Sequence, residues 1–425
     1  MVEKWKETLK ERSQAMIDGV MGVVIALAAY VVMSVPVTTW IQWWVLLSFF
    51  MMVFMVSIFV WDAAANATAI APSDGRLFVL SLILVVFLIP LSFSTRLVIS
   101  SEIKGLGATF LIINTGLVFA LDSLIIILAL RTPESRTLPR WALADLRGSV
   151  IGLVVGSLVA FLSLLIPLRE TVSLEPGVNI PVRAMGLAWA FGAFFIVLLA
   201  VSFLLRRQMP ISIDKSPEVQ EMNQVFYSKM RAMYSAIFGM AVGLSAFSLT
   251  ELPVKAAADL ILLLVHFAFL FFLIVVLWNR LYRIYTVIST FYEQLDFLIN
   301  WIAFFVVLTP PVFRLVILPG SATKEIGAIV FPVLIATLSL TNGALHLYTA
   351  GLQRREVAIS SKVRKEFRWW AWGSFALCIL FLTSLLIPIT ATLGYMSLRV
   401  IAWWVSLISF VVIMRVVSRV THFTF

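Results

Sequence analysis

Few polar side chains of this 425-residue chain stand where they could do chemistry, and those few lie inside long apolar runs. Asp122 is deep in one such run with Asn114 on the same stretch, and the corresponding place in the second half of the chain holds Asn342 and His346. A carboxylate at that depth is the usual proton-coupling group of a membrane carrier; the plainer reading is an Asp held by hydrogen bonds to a neighbouring helix. Asp18 stands one turn inside the first apolar run, and Arg12 is too far round the helix from it for the two to pair. Each therefore needs a partner on another helix, and Asp18 is close enough to the interface to meet ions. His266 is alone on an apolar run and His422 is in the tail; with His346 they make no spaced ligand set, so no metal site is expected. Cys378 has no second cysteine to pair with, which excludes a disulfide framework and a thiolate metal site. No Ser/His/Asp or Cys/His set, P-loop or G-x-G-x-x-G occurs, so the chain does not read as an enzyme and no cofactor is expected.

The elements that must position these residues are membrane helices. A mean hydropathy of +1.03, with 61% hydrophobic and 13% charged residues, is far from the composition of a soluble domain. Apolar stretches long enough to cross a bilayer fall near 17–35, 41–61, 77–95, 106–130, 149–168 and 184–205, then 232–252, 257–278, 296–317, 326–349, 370–390 and 396–414. These runs are continuously apolar instead of alternating, which argues against a barrel. The expectation is an all-α integral membrane protein of twelve spans.

The spans divide six and six. Phe161 to Pro167 reads FLSLLIP, and Phe381 to Pro388 reads FLTSLLIP, near the end of the fifth run of each half. Arg12 pairs with Arg231, Trp61 with Trp278, Pro90 with Pro310, Asp122 with Asn342 and Pro167 with Pro388. An even number of spans per half makes the halves parallel repeats about an axis along the membrane normal, and excludes inverted ones. The expected organisation is a first six-helix repeat over 1–208, a linker over 209–227 marked by Pro210 and Pro217, and a second six-helix repeat over 228–425.

Charge sets the orientation. With the amino terminus inside, only Arg96, Lys104, Arg169, Arg183, Lys255, Arg314, Lys324 and Arg399 lie on the outer side, leaving 24 of 32 basic residues cytoplasmic. Both termini are expected in the cytoplasm. The net charge of +10 is then a matter of topology and anionic headgroups, and no nucleic acid partner is implied. The 14 Trp, among them Trp40, Trp43, Trp44, Trp369, Trp370, Trp403 and Trp404, cluster at helix ends and are expected to form an interfacial belt.

The first run reads Arg12-Ser-Gln-Ala-Met16-Ile17-Asp18-Gly19 and continues as a small and aliphatic stripe. It resembles the transmembrane protein 175 potassium channel family, whose first helix opens with R-x-x-x-F-S-D-G; Arg12, Asp18 and Gly19 match, while Met16 and Ile17 stand for Phe and Ser. Ser48-Phe49 and Trp61 in the second run, Leu88-Ile-Pro90 in a turn expected to end the third, and Glu251-Leu252-Pro253 after the seventh also match family features. In the second half Arg231 is kept, and the triad falls on Ser235-Ala236-Ile237 or, one residue earlier, on Tyr234-Ser235-Ala236.

The resemblance implies that the first helix of each repeat lines a pore and that two chains form a homodimer supplying four such helices. It also implies a prokaryotic cell membrane and potassium as the permeant ion. No T-V-G-Y-G filter is present, so constriction by aliphatic side chains would replace it. At helical spacing from Asp18 the constriction falls on Val23, Leu27 and Tyr30, and in the second half on Val242, Ala246 and Leu249, with Ser245 the nearest polar group. Arg12, Asp18, Trp61, Arg231, Ser245 and Trp278 would support it. Gly19, Gly22 and Ala26, with Gly239 and Gly243 in a G-x-x-x-G spacing, are equally what close helix packing in lipid requires. A proton-coupled carrier using Asp122 and a non-conducting membrane scaffold are the alternatives.

Overall fold

The computed structural model describes residues 19–20, 22–30, 37, 39–70, 75–100, 104–132, 135, 140–167, 171–175, 178–188, 191, 231–245, 257–287, 293–317, 321–352, 361–393 and 396–420. The chain is helical over almost all of them. Helices are α1 (22–30), α2 (Trp40–Ile70), α3 (Gly75–Ser100), α4 (Lys104–Leu130), α5 (Arg140–Leu162), α6 (182–188), α7 (231–245), α8 (Ala257–Val287), α9 (Glu293–Ile317), α10 (Ser321–Leu352), α11 (Ser361–Thr383) and α12 (Leu398–Val420). Among the described residues, seven helical stretches are long and apolar enough to cross a membrane, the longest at Thr323–Gly351. Shorter apolar stretches run over Val79–Leu88 and Leu398–Met414.

The apolar runs become helices because a backbone surrounded by hydrocarbon must satisfy its own amides and carbonyls. Hydroxyls follow the same rule: Ser81, Thr115 and Thr349 donate to the carbonyls of Leu77, Leu111 and Leu345 four residues back, at 2.7–2.8 Å, so these side chains serve their own helix. Pro90 does not end α3, as the sequence suggested; the helix continues to Ser100. The helix runs on past the missing proline N–H, and Asn114 Nδ2 on α4 donates to the Phe87 carbonyl, three residues before Pro90, at 2.7 Å. Asn114 is thereby committed to the α3–α4 pair and not to Asp122.

Two compact units form, Met1–Val35 with Trp40–Ala236, and Pro36–Thr39 with Ile237–Phe425. In the first, α3 packs on α4 and α4 on α5 and α2. Gly107 permits the α3–α4 approach, since a Cβ there would lie 2.8 Å from the Leu97 carbonyl carbon. In the second, Gly327 plays this part between α9 and α10, where a Cβ would lie 2.6 Å from the Leu315 carbonyl carbon. The first core centres on Phe119, edge-on to Phe59 and Phe191; the second centres on Phe331, 4.7 Å from Trp403 and 4.9 Å from Phe313 between ring centroids.

Two short hairpins interrupt the helices. Thr171–Glu175 (β1) pairs antiparallel with Val178–Pro181 (β2), and Thr392–Leu393 (β3) with Met396–Ser397 (β4). Each follows a 3-10 turn, Ser163–Leu165 or Ser384–Leu386, at the sequence repeat noted above. An arginine secures each turn. Arg183 donates from Nε to the Ile166 carbonyl and from Nη2 to the Leu164 carbonyl at 2.7 Å; Arg399 donates from Nε to Ile387 at 2.6 Å and from Nη2 to Leu385 at 3.0 Å. The sequence counted both arginines only as outer-side charges. Instead they are buried donors for helix-end carbonyls that would otherwise be bare.

Candidate functional site

The described part of α1 is covered on every side but one. Val24, Ile25, Ala26, Ala28 and Ala29 are buried, whereas Leu27 is 39% exposed and Val23 and Tyr30 are half-buried. Positions 23, 27 and 30 share one helical face, so the uncovered face of this helix is the stripe to which the sequence assigned the constriction. On another face Gly22 meets α7: a Cβ at Gly22 would lie 3.2 Å from the Ala236 Cβ. The first helices of the two half-sequences thus touch through small side chains.

On α7, Val242 is half-buried, and Gly239 and Gly243 are exposed with open space where a Cβ would stand. Among the described residues that G-x-x-x-G face makes no close packing contact. Ser245 is buried and donates to the Ala241 carbonyl at 2.8 Å, and Arg231 is half-buried. Arg12, Asp18, Ala246 and Leu249 lie outside the described residues, as does the Glu251-Leu252-Pro253 segment. Trp61 and Trp278, paired by sequence, differ in setting: Trp61 is buried, whereas Trp278 is exposed and 5.7 Å from Tyr282 between ring centroids. The aromatic belt also holds only in part. Trp40, Trp44, Trp369 and Trp372 are exposed, but Trp43 and Trp403 are core residues, and Trp403 Nε1 donates to Ser384 Oγ at 2.8 Å. An indole whose N–H finds a partner can be buried like any other large apolar ring.

Asp122 is 0% exposed in α4, and neither carboxyl oxygen has a hydrogen-bond partner. The expected hydrogen bonds to a neighbouring helix are not made. Asp62 on α2 lies near enough for its charge to act on Asp122. This carboxyl is the least satisfied acid among the described residues, and burial of an unpaired carboxylate is costly.

Asn342 and His346 occupy the corresponding depth of α10 and are both buried. Asn342 Nδ2 donates to Ser374 Oγ on α11 at 3.1 Å, and His346 Nδ1 lies 2.8 Å from the Asn342 carbonyl, a contact that places the proton on Nδ1. Ser374 Oγ also accepts from Arg280 Nη1 at 3.2 Å. Arg280 escaped the sequence reading because the eighth run was taken to stop at 278; α8 continues to Val287 and carries Arg280 into the packed interior. A useful signal was present in Arg280 and Arg283, three apart on one helical face next to aromatic residues. Arg283 meets Glu366 of α11 with an N–O distance of 3.6 Å.

His266 is buried edge-on to Phe313, and no group of three or more His, Cys, Asp or Glu residues suited to a metal occurs among the described residues. No protein-family model matches the chain, and no curated protein matches it.

Proposed function

We propose that the chain forms a passive cation pathway, with potassium the ion its resemblance implies, lined by the first helix of each half. The reading is carried by the stripe Val23, Leu27 and Tyr30, the face of the described part of α1 that is not fully buried, with Leu27 its exposed member. Apolar side chains in such a place close a pathway by radius and by dewetting, with no carbonyl filter needed. Three further features support it. The Gly22–Ala236 approach joins α1 to α7, Gly239 and Gly243 leave a small-residue face open for a second chain, and the arginine-held turn recurs in both halves. The full arrangement proposed is twelve spans in two parallel six-helix repeats, paired as a homodimer with both termini cytoplasmic in a prokaryotic cell membrane.

Potassium efflux from liposomes containing the purified protein tests this. Leu27→Trp should lower efflux about tenfold or more, a barrier increase of about 1.4 kcal/mol. Ile151→Trp, on an exposed face of α5, should leave it unchanged. Equal loss in both, or in neither, would refute a lining role for α1.

A second reading rests on Asp122. A fully buried carboxyl without hydrogen-bond partners suits a residue that holds and releases a proton, as in a carrier. It requires pH-driven uptake of a solute that Asp122→Asn abolishes.

A further inference from the structure

Three arginines among the described residues are buried, and two of them show how a guanidinium is accommodated in this protein. Arg183 and Arg399 each aim Nε and Nη2 side by side at two carbonyl oxygens of a helix end. Arg280 does not. Its guanidinium packs against the Trp370 ring, 4.0 Å from Cζ, and the Phe410 ring at 4.1 Å. Nη1 is taken by Ser374, while Nε and Nη2 are buried with no hydrogen-bond partner. These two nitrogens are the side-on fork of the guanidinium, whose parallel N–H bonds match two oxygens of a single anion. The rings and Ser374 hold the fork in place beforehand, so little side-chain freedom remains to be lost on binding.

The surroundings favour an anion and set its class. Arg283 adds a second positive charge on α8, and the carboxylate of Glu366 is engaged with it. Trp278, Tyr282 and Trp369 are exposed nearby, and α8 ends seven residues on, about 10 Å along its axis. Exposed Trp and Tyr mark the depth at which phosphate headgroups lie. We propose that the Arg280 fork, between α8, α11 and α12, binds a phosphate oxyanion, supplied either as free phosphate or as the headgroup of an anionic phospholipid.

The test uses the full-length protein in nonionic detergent and follows its thermal unfolding midpoint. Inorganic phosphate, or mixed micelles containing phosphatidylglycerol in place of phosphatidylcholine, should raise the wild-type midpoint by several degrees. Arg280→Lys, which keeps the charge but loses the fork, should not respond. A rise with phosphate alone assigns free phosphate, and a rise only with phosphatidylglycerol assigns the headgroup. Potassium chloride at the same ionic strength must not reproduce the rise, because a one-atom anion cannot span the fork; phosphate also stabilises by exclusion from the surface, so where Arg280→Lys does not fold, saturable binding of radiolabelled phosphate or phosphatidylglycerol to the wild type decides, and its absence overturns the proposal. The proposal is overturned by no rise with either probe, by an equal rise with chloride, or by an equal rise in Arg280→Lys. It is also overturned if phosphate acts only on Glu366→Gln, which would show that Glu366 fills the fork in solution.

Discussion

Arg399→Leu would leave three carbonyls, those of Ile387, Leu385 and Ala328, without their donors. Each buried acceptor so exposed costs about 1–3 kcal/mol, so a large loss of stability is expected in a detergent-unfolding titration. Arg399→Lys should recover only part of it, because an ammonium has no planar fork. Asp122→Asn belongs to the same scale: for a passive pathway it should leave potassium flux intact and raise stability, since a neutral amide is less costly to bury than a carboxylate. Loss of flux in this variant would favour the carrier. Sequence singled out Asp122 because an acid amid apolar residues is visible in one dimension. It passed over Arg183, Arg280 and Arg399, whose importance lies in carbonyls and rings brought to them by folding; for Arg280 alone the spacing from Arg283 beside aromatic residues carried a hint.

Helix pairs in lipid rely on close approach, and Gly107 and Gly327 are where it occurs here. Gly107→Val should push α3 from α4 and destabilise the protein by about 1–3 kcal/mol, whereas Gly148→Val, with open space at its Cβ position, should cost less. Helix positions were legible from apolar runs, but ends were not. Proline at position 90 suggested a stop that α3 runs past, and the polar close of α8 hid seven further helical residues after Arg280. The hairpins were not foreseen: β3 and β4, two residues each, leave no pattern to read, whereas Thr171–Glu175 does alternate polar and apolar but is too short to stand out between long apolar runs.

At the scale of the molecule, the α1 stripe is the part of the site that sequence spacing and folded burial place together, since a face of period 3.6 can be traced without knowing what covers the rest. The proposed pathway needs a second copy of the chain to face that stripe. Labelling of single cysteines placed within 131–139 and 353–360, in a Cys378→Ser background, should occur from the cytoplasmic side alone if both termini are inside. The most direct measurement is single-channel recording of the purified protein in a planar bilayer under a potassium chloride gradient. Discrete current steps that reverse near the potassium equilibrium potential and disappear in Leu27→Trp are predicted; a silent bilayer containing folded protein, or steps indifferent to Leu27→Trp, would contradict a pathway lined by the first helices.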